Sequence, residues 1–280
     1  MQDMSNERDQ DTRALVPFIE NAQAEGTLSD KSRRLLEKPE VQRQILIATG
    51  TPTSSIQADD ITIVTLLIDD SGSMASHKDA VIKGQNRIID TLLQKASYPD
   101  RILISTQVLN GGDAGVIDPY HPLAEAVRLD GRNYRPDNET RLIPRTIEVL
   151  GGVMLKTQEG SDEWKTVRTA TLVMSDGHDT SGMDIEEVAV LVRDMRASKV
   201  HLLAAMGFGE KSYFTGFFSD MAIDPQWILT AEARDEEILK ALGLFAEAAT
   251  KAADPESFPL LLNSGYEGLK GLPGSGQINL

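Results

Sequence analysis

The segment Ile61-Thr62-Ile63-Val64-Thr65-Leu66-Leu67-Ile68 is β-branched and almost continuously apolar, and it runs straight into Asp69-Asp70-Ser71-Gly72-Ser73. An unbroken apolar run is the pattern of a strand buried on both faces, which belongs to parallel sheets covered by helices on each side. The polar turn places a carboxylate and two hydroxyls at the carboxyl end of that strand. Open α/β sheets hold their ligands at such strand ends. Val81, Ile88 and Leu92 then mark the inner face of an amphipathic helix.

The same alternation continues down the chain. Arg101 to Leu109 reads as a second strand, with a weaker extended piece near Ala126-Val127-Arg128-Leu129. A helix follows Thr140 through Ile147 and Leu150, then a buried strand Thr169-Ala170-Thr171-Leu172-Val173-Met174. Ile185, Val188, Ala189 and Val192 stripe a helix, Val200 to Met206 is a strand, and Trp227-Ile228-Leu229-Thr230 is a short final one. Ile238, Leu242, Phe245 and Ala249 stripe the last helix. Strands alternating with helices, joined by right-handed crossovers, predict an α/β fold with a doubly wound, mostly parallel sheet flanked by helices. Residues 1–58 read as an N-terminal helical extension, with Leu15, Phe18, Ile19 and Ala22 on one helical face and a frayed polar start. Residues 59–253 form the main domain; beyond Pro255 the periodicity stops, and 254–280 reads as a Gly-rich tail.

A formal charge of −15 over 280 residues argues against nucleic acid or an anionic membrane as partner, because phosphate contacts need clustered Lys and Arg. The absence of cysteine excludes disulfides and thiolate metal sites and fits a reducing compartment. The polar start, Met1 to Glu7, has no apolar signal core, and no run approaches the roughly 18 apolar residues of a membrane span. A cytoplasmic protein is the simplest account.

In a tight turn Asp69, Ser71 and Ser73 alternate, so their oxygens can converge, with Gly72 letting the backbone turn between the serines. Hard oxygen ligands in this arrangement suit a small divalent cation. Thr140 in Asn138-Glu139-Thr140-Arg141-Leu142 and Asp176 in Met174-Ser175-Asp176-Gly177 supply the rest of a plausible shell. Together these residues resemble the metal-ion-dependent adhesion site of von Willebrand factor A (vWA) domains: D-x-S-x-S, a Thr in a middle loop, and an Asp after the fourth strand. The resemblance covers about Asp59 to Ala253, and it departs at Asn138, where the family often has Gly.

The resemblance implies an octahedral Mg²⁺ (with Mn²⁺ or Ca²⁺ as substitutes), ligated by the hydroxyls of Ser71, Ser73 and Thr140 and by Asp69 and Asp176 directly or through water. It leaves one position for a Glu or Asp of a partner protein. It also implies a non-enzymatic role, and cytoplasmic bacterial members often work beside AAA+ ATPases, which suggests that partner class. A Mg²⁺-dependent hydrolase or phosphotransferase using the Asp69 turn is the rival, although Ser71 stands where the haloacid-dehalogenase pattern wants a second Asp. A structural vWA domain that needs no ion is the third reading. The sequence has no H-E-x-x-H, G-x-S-x-G elbow around the serines, or Walker-type loop. His178 lies near the ion turn; Asp70 and Asp179 border it and read as surface charge or loop hydrogen bonds. Tyr213, Phe214, Phe217 and Phe218 read as a helix face packed on the sheet.

Overall fold

Six strands form one sheet in the order β3-β2-β1-β4-β5-β6 in the computed structural model, which describes residues 15–110, 115–137 and 139–269. The strands are β1 (Asp60–Ile68), β2 (Ile102–Val108), β3 (Val116–Pro122), β4 (Thr166–Ser175), β5 (His201–Phe208) and β6 (Ile228–Ala231). All neighbours pair in parallel except β2 with β3, which are antiparallel. Every residue of β1 after Asp60 is buried, as its unbroken apolar run requires of a central strand.

Helices cover both faces. On one side lie α4 (Lys78–Lys95), α8 (Asp235–Ala252) and α9 (Phe258–Leu262), packed on Val64, Leu66, Leu172 and Ala204. On the other lie α5 (Leu142–Asp162), α6 (Ile185–Ser198) and α7 (Lys211–Asp220), packed on Leu67, Val173 and Ala205. This is a doubly wound α/β fold, as the alternating pattern predicts. Its order reverses between β1 and β4, so the crevice of the switch point opens at the carboxyl ends of those two strands.

The N-terminal helices α1 (Val16–Ala24), α2 (Asp30–Leu36) and α3 (Pro39–Ala48) share the α5 side of the core. Gly151 of α5 permits their close approach: a Cβ there would stand 2.7 Å from both Ile45 Cδ1 and Leu36 Cδ2. Beyond α3, the Thr51 N–H donates to the Tyr120 carbonyl at 2.6 Å, so the extension also covers part of the exposed β3 edge.

The structure departs from the sequence reading in three places. The third strand is Val116–Pro122, not the stretch near Ala126–Leu129, which is irregular. Pro119 and Pro122 disguise it, and an edge strand tolerates them because one side needs no ladder bonds. A six-residue 3₁₀ segment, Gly72–His77, stands between the Asp69 turn and α4, an element that the helical stripe of Val81, Ile88 and Leu92 does not announce. Finally, ordered packing continues through α9 and α10 (Gly265–Gly268) to Leu269, with Phe258, Leu261, Tyr266 and Leu269 all in the core. The start expected to be frayed, Asn138 and the rest of the tail fall outside the described residues.

Candidate metal centre at the switch point

Register brings the two carboxylates together. Ile68 is level with Met174 across the β1–β4 ladder, and the Asp69 N–H extends that ladder by donating to the Met174 carbonyl at 3.0 Å. Asp69 and Asp176 therefore leave adjacent strands within one residue of the same level. Asp69 is fully buried, its Oδ1 accepting from the Ser71 N–H at 2.7 Å and its Oδ2 from the Ser175 hydroxyl at 2.5 Å.

The serines complete a chain of oxygens. Ser73 Oγ donates to Asp176 Oδ1 at 2.6 Å and lies 3.0 Å from Ser71 Oγ. Thr140 is buried against the second turn: a Cβ on Gly177 would lie 2.7 Å from Thr140 Oγ1, so a glycine there lets the threonine hydroxyl come in. The Thr140 carbonyl accepts from the Thr180 N–H at 2.8 Å, which ties the middle loop to the β4 turn. Burial, with the charge of Asp69 added, pushes the Asp176 carboxyl above its ordinary range, while the Ser73 hydroxyl works against that rise.

Neighbouring polar groups hold the turns in place. Asp70 Oδ1 accepts from the backbone N–H and side-chain amide of Asn110 at 3.0 and 3.1 Å, a loop hydrogen bond rather than surface charge. Asp179 accepts from the Ile143 N–H at 3.0 Å and so caps the first turn of α5. Tyr134, fully buried, donates its hydroxyl to the Asp69 carbonyl at 2.6 Å. Asn110 and Tyr134 carry no local sequence signal that marks them as supports of the turn; only the fold brings them there.

The histidines have partners of their own, although the charge of His77 also works against the rise at Asp176. His77 pairs with Asp235 at the start of α8 (2.9 Å), His121 with Asp118 (2.7 Å), and His201 with Thr169 (2.8 Å). His178 is exposed, its ring 3.7 Å from that of Tyr213. The aromatic face of α7 divides: Phe214 and Phe218 are buried in the core, whereas Tyr213 and Phe217 are partly exposed.

The donor chemistry fits a hard divalent cation. Two carboxylates and the hydroxyls of Ser71 and Ser73 meet at one strand-end crevice, Thr140 lies against the second turn, and among the described residues no Lys or Arg forms an ion pair with Asp69 or Asp176. A buried carboxylate without a cation is costly, and a bound ion would offset that cost. Among the described residues no three His, Cys, Asp or Glu side chains gather as metal ligands. Any ion at the switch point would therefore depend on the hydroxyls. No helix among the described residues is long and apolar enough to cross a membrane.

No protein-family model matches the sequence, and no curated protein matches it. Similar solved structures include proximal thread matrix protein 1 of the mussel byssus, at 13% identity and a TM-score of 0.47 over 68% of this chain. The pilus adhesin SpaC from Lactobacillus rhamnosus GG is similar at 13% identity and a TM-score of 0.49 over 70% of this chain. The von Willebrand factor domain of the type V pilus tip protein Mfa5 from Porphyromonas gingivalis is similar at 11% identity and a TM-score of 0.47, with 67% of this chain and 94% of that one covered. The chain spans 48% of the mussel protein and 30% of SpaC. The fold class stands on the strand order and register above.

Proposed function

We propose that this chain is a divalent-cation-dependent protein-interaction module, with Asp69, Ser71, Ser73, Thr140 and Asp176 as the metal-holding residues. The observation that carries the reading is the chain of oxygens from Ser71 through Ser73 to Asp176, assembled at the switch point beside a fully buried Asp69. Mg²⁺ is the cation these donors suit best, with Mn²⁺ or Ca²⁺ as substitutes. When bound, the ion would supply positive charge for an incoming carboxylate of a partner protein, in a partly dry crevice where that attraction exceeds its value in bulk water.

The chain's own residues do the positioning. Ser175 and the Ser71 N–H orient the Asp69 carboxylate, Tyr134 holds its backbone, and Gly177 admits Thr140. Ser73 and Asp176 are more exposed than Asp69, so the acidic partner residue is received on their side. The reading is that of a binding protein, without turnover, and an AAA+ ATPase is a partner class consistent with it.

Calorimetric titration of Mg²⁺ and Mn²⁺ tests the proposal. One site is expected, and Asp69→Ala should abolish it; equal binding by the variant would overturn the assignment. A second reading is that the Ser73–Asp176 hydrogen bond serves only to join the two turns. On that reading the domain binds its partner metal-free, and partner capture would survive chelator.

A further inference from the structure

The opposite end of the sheet carries a cavity of about 320 Å³, between the last turn of α6, the start of β5 and helix α9. Leu202, Trp227, Phe258 and Leu262 make apolar wall, and Arg196 and Lys199 stand among the polar lining. One buried polar atom there lacks a partner. Trp227 is 3% exposed, and its indole N–H has no acceptor among the described residues. His201, 6% exposed, also lines the cavity and spends Nδ1 on the Thr169 hydroxyl.

The charges are asymmetric. Arg196 is held by Asp224 (2.8 Å) and by the Ala222 carbonyl (2.9 Å). Lys199, exposed at the end of α6, has no ion-pair partner among the described residues. Two cations thus meet one carboxylate, on a chain whose overall charge is −15. A wall of aromatic and aliphatic side chains with a few convergent donors is the pattern of a small-molecule site, and the volume suits a fragment-sized ligand. The donors call for acceptors, and the apolar wall disfavours a bare inorganic anion.

We propose that this cavity binds a small amphipathic carboxylate, its hydrocarbon or aromatic body against Trp227, Phe258 and Leu262 and its carboxylate held by Lys199 with Arg196. The site is independent of the metal turn, since it lies at the amino end of β5 rather than at the carboxyl ends of β1 and β4.

The test uses the full chain with 3-phenylpropionate and its neutral amide, followed by ligand-observed NMR and calorimetry. Saturable one-to-one binding of the acid is expected, with the amide about tenfold weaker or more. Lys199→Ala should weaken the acid about fivefold or more and leave the amide unchanged. In a Trp164→Phe background Trp227 is the remaining tryptophan, and its emission should shift as the acid binds. The proposal is overturned if the acid fails to saturate by about 10 mM, far above a useful affinity. Equal affinity for acid and amide, indifference to Lys199→Ala, or binding without any change in Trp227 emission would each overturn it as well.

Discussion

Asp69→Asn isolates the charge of the proposed metal centre from its shape. Asn is nearly isosteric, and its carbonyl can still accept from the Ser71 N–H that Asp69 Oδ1 now takes at 2.7 Å. The other position faces Ser175, whose hydroxyl already receives the Gly177 N–H at 3.1 Å and could accept from an amide after rotating. Repulsion between Asp69 and Asp176 disappears at the same time. These terms oppose one another, so without metal the variant should match the parent in stability within about 1 kcal/mol. Metal binding should suffer far more, because one of two anionic donors is gone. Removing one partner of a buried charge pair costs about 3 kcal/mol or more, or at least about 100-fold in Kd. At a Mg²⁺ concentration of about 100 Kd the parent gains about 2.7 kcal/mol. For a domain of this size that corresponds to a rise in Tm of roughly 5–10 °C. Differential scanning calorimetry of both proteins, in chelator and in Mg²⁺, reads the two effects separately. An Asn variant that keeps the parent's Mg²⁺-dependent rise would refute the reasoning, as would a parent that shows none.

Three further outcomes follow from the same geometry. Burial lowers the His201 imidazole to about 4, so between about 6.5 and 4 the unfolded chain binds the extra proton and stability falls as the pH falls, by up to about 3 kcal/mol; urea titrations at pH 7 and pH 4.5 should show this slope in the parent and a flatter one in His201→Gln. Gly177→Ala would press a methyl group against Thr140 Oγ1, 2.7 Å from the Cβ position; Mg²⁺ affinity should drop by about tenfold while urea stability changes by less than about 1.5 kcal/mol, and equal losses in both would show that Gly177 serves packing alone. Trp164 holds a left-handed φ of 63° at the end of α5 while 93% exposed; Trp164→Gly should raise stability by about 0.5–1 kcal/mol in urea unfolding, since relief of αL strain outweighs the entropy of glycine, and a loss would mean that the indole makes contacts that matter.

The central strands and their order of succession are legible in the chain because long apolar runs report burial directly. Ile61–Ile68 and Thr169–Met174 declare strands covered on both faces, and the stripes of α4, α6 and α8 declare the covering helices. The Asp69 turn is legible for the same reason, since a polar cluster abruptly ends such a run. Edge strand β3 is not, because half-buried residues and two prolines leave neither period nor apolar run to read. Nor are α9 and α10, where Phe258, Leu261 and Tyr266 lie in segments too short to show a helical stripe.

Sequence determines which residues can offer oxygen to a cation; only the tertiary structure decides which of them meet. Ser73 and Asp176 are 103 residues apart and touch because β1 and β4 are neighbours in register at the point where the sheet changes direction. Tyr134 and Asn110 join the same turn through a fold that no local pattern announces. Periodicity encodes how deeply each segment is buried. Which segments lie side by side is set by the packing of the whole sheet and the handedness of its crossovers, and that adjacency is what assembles the site.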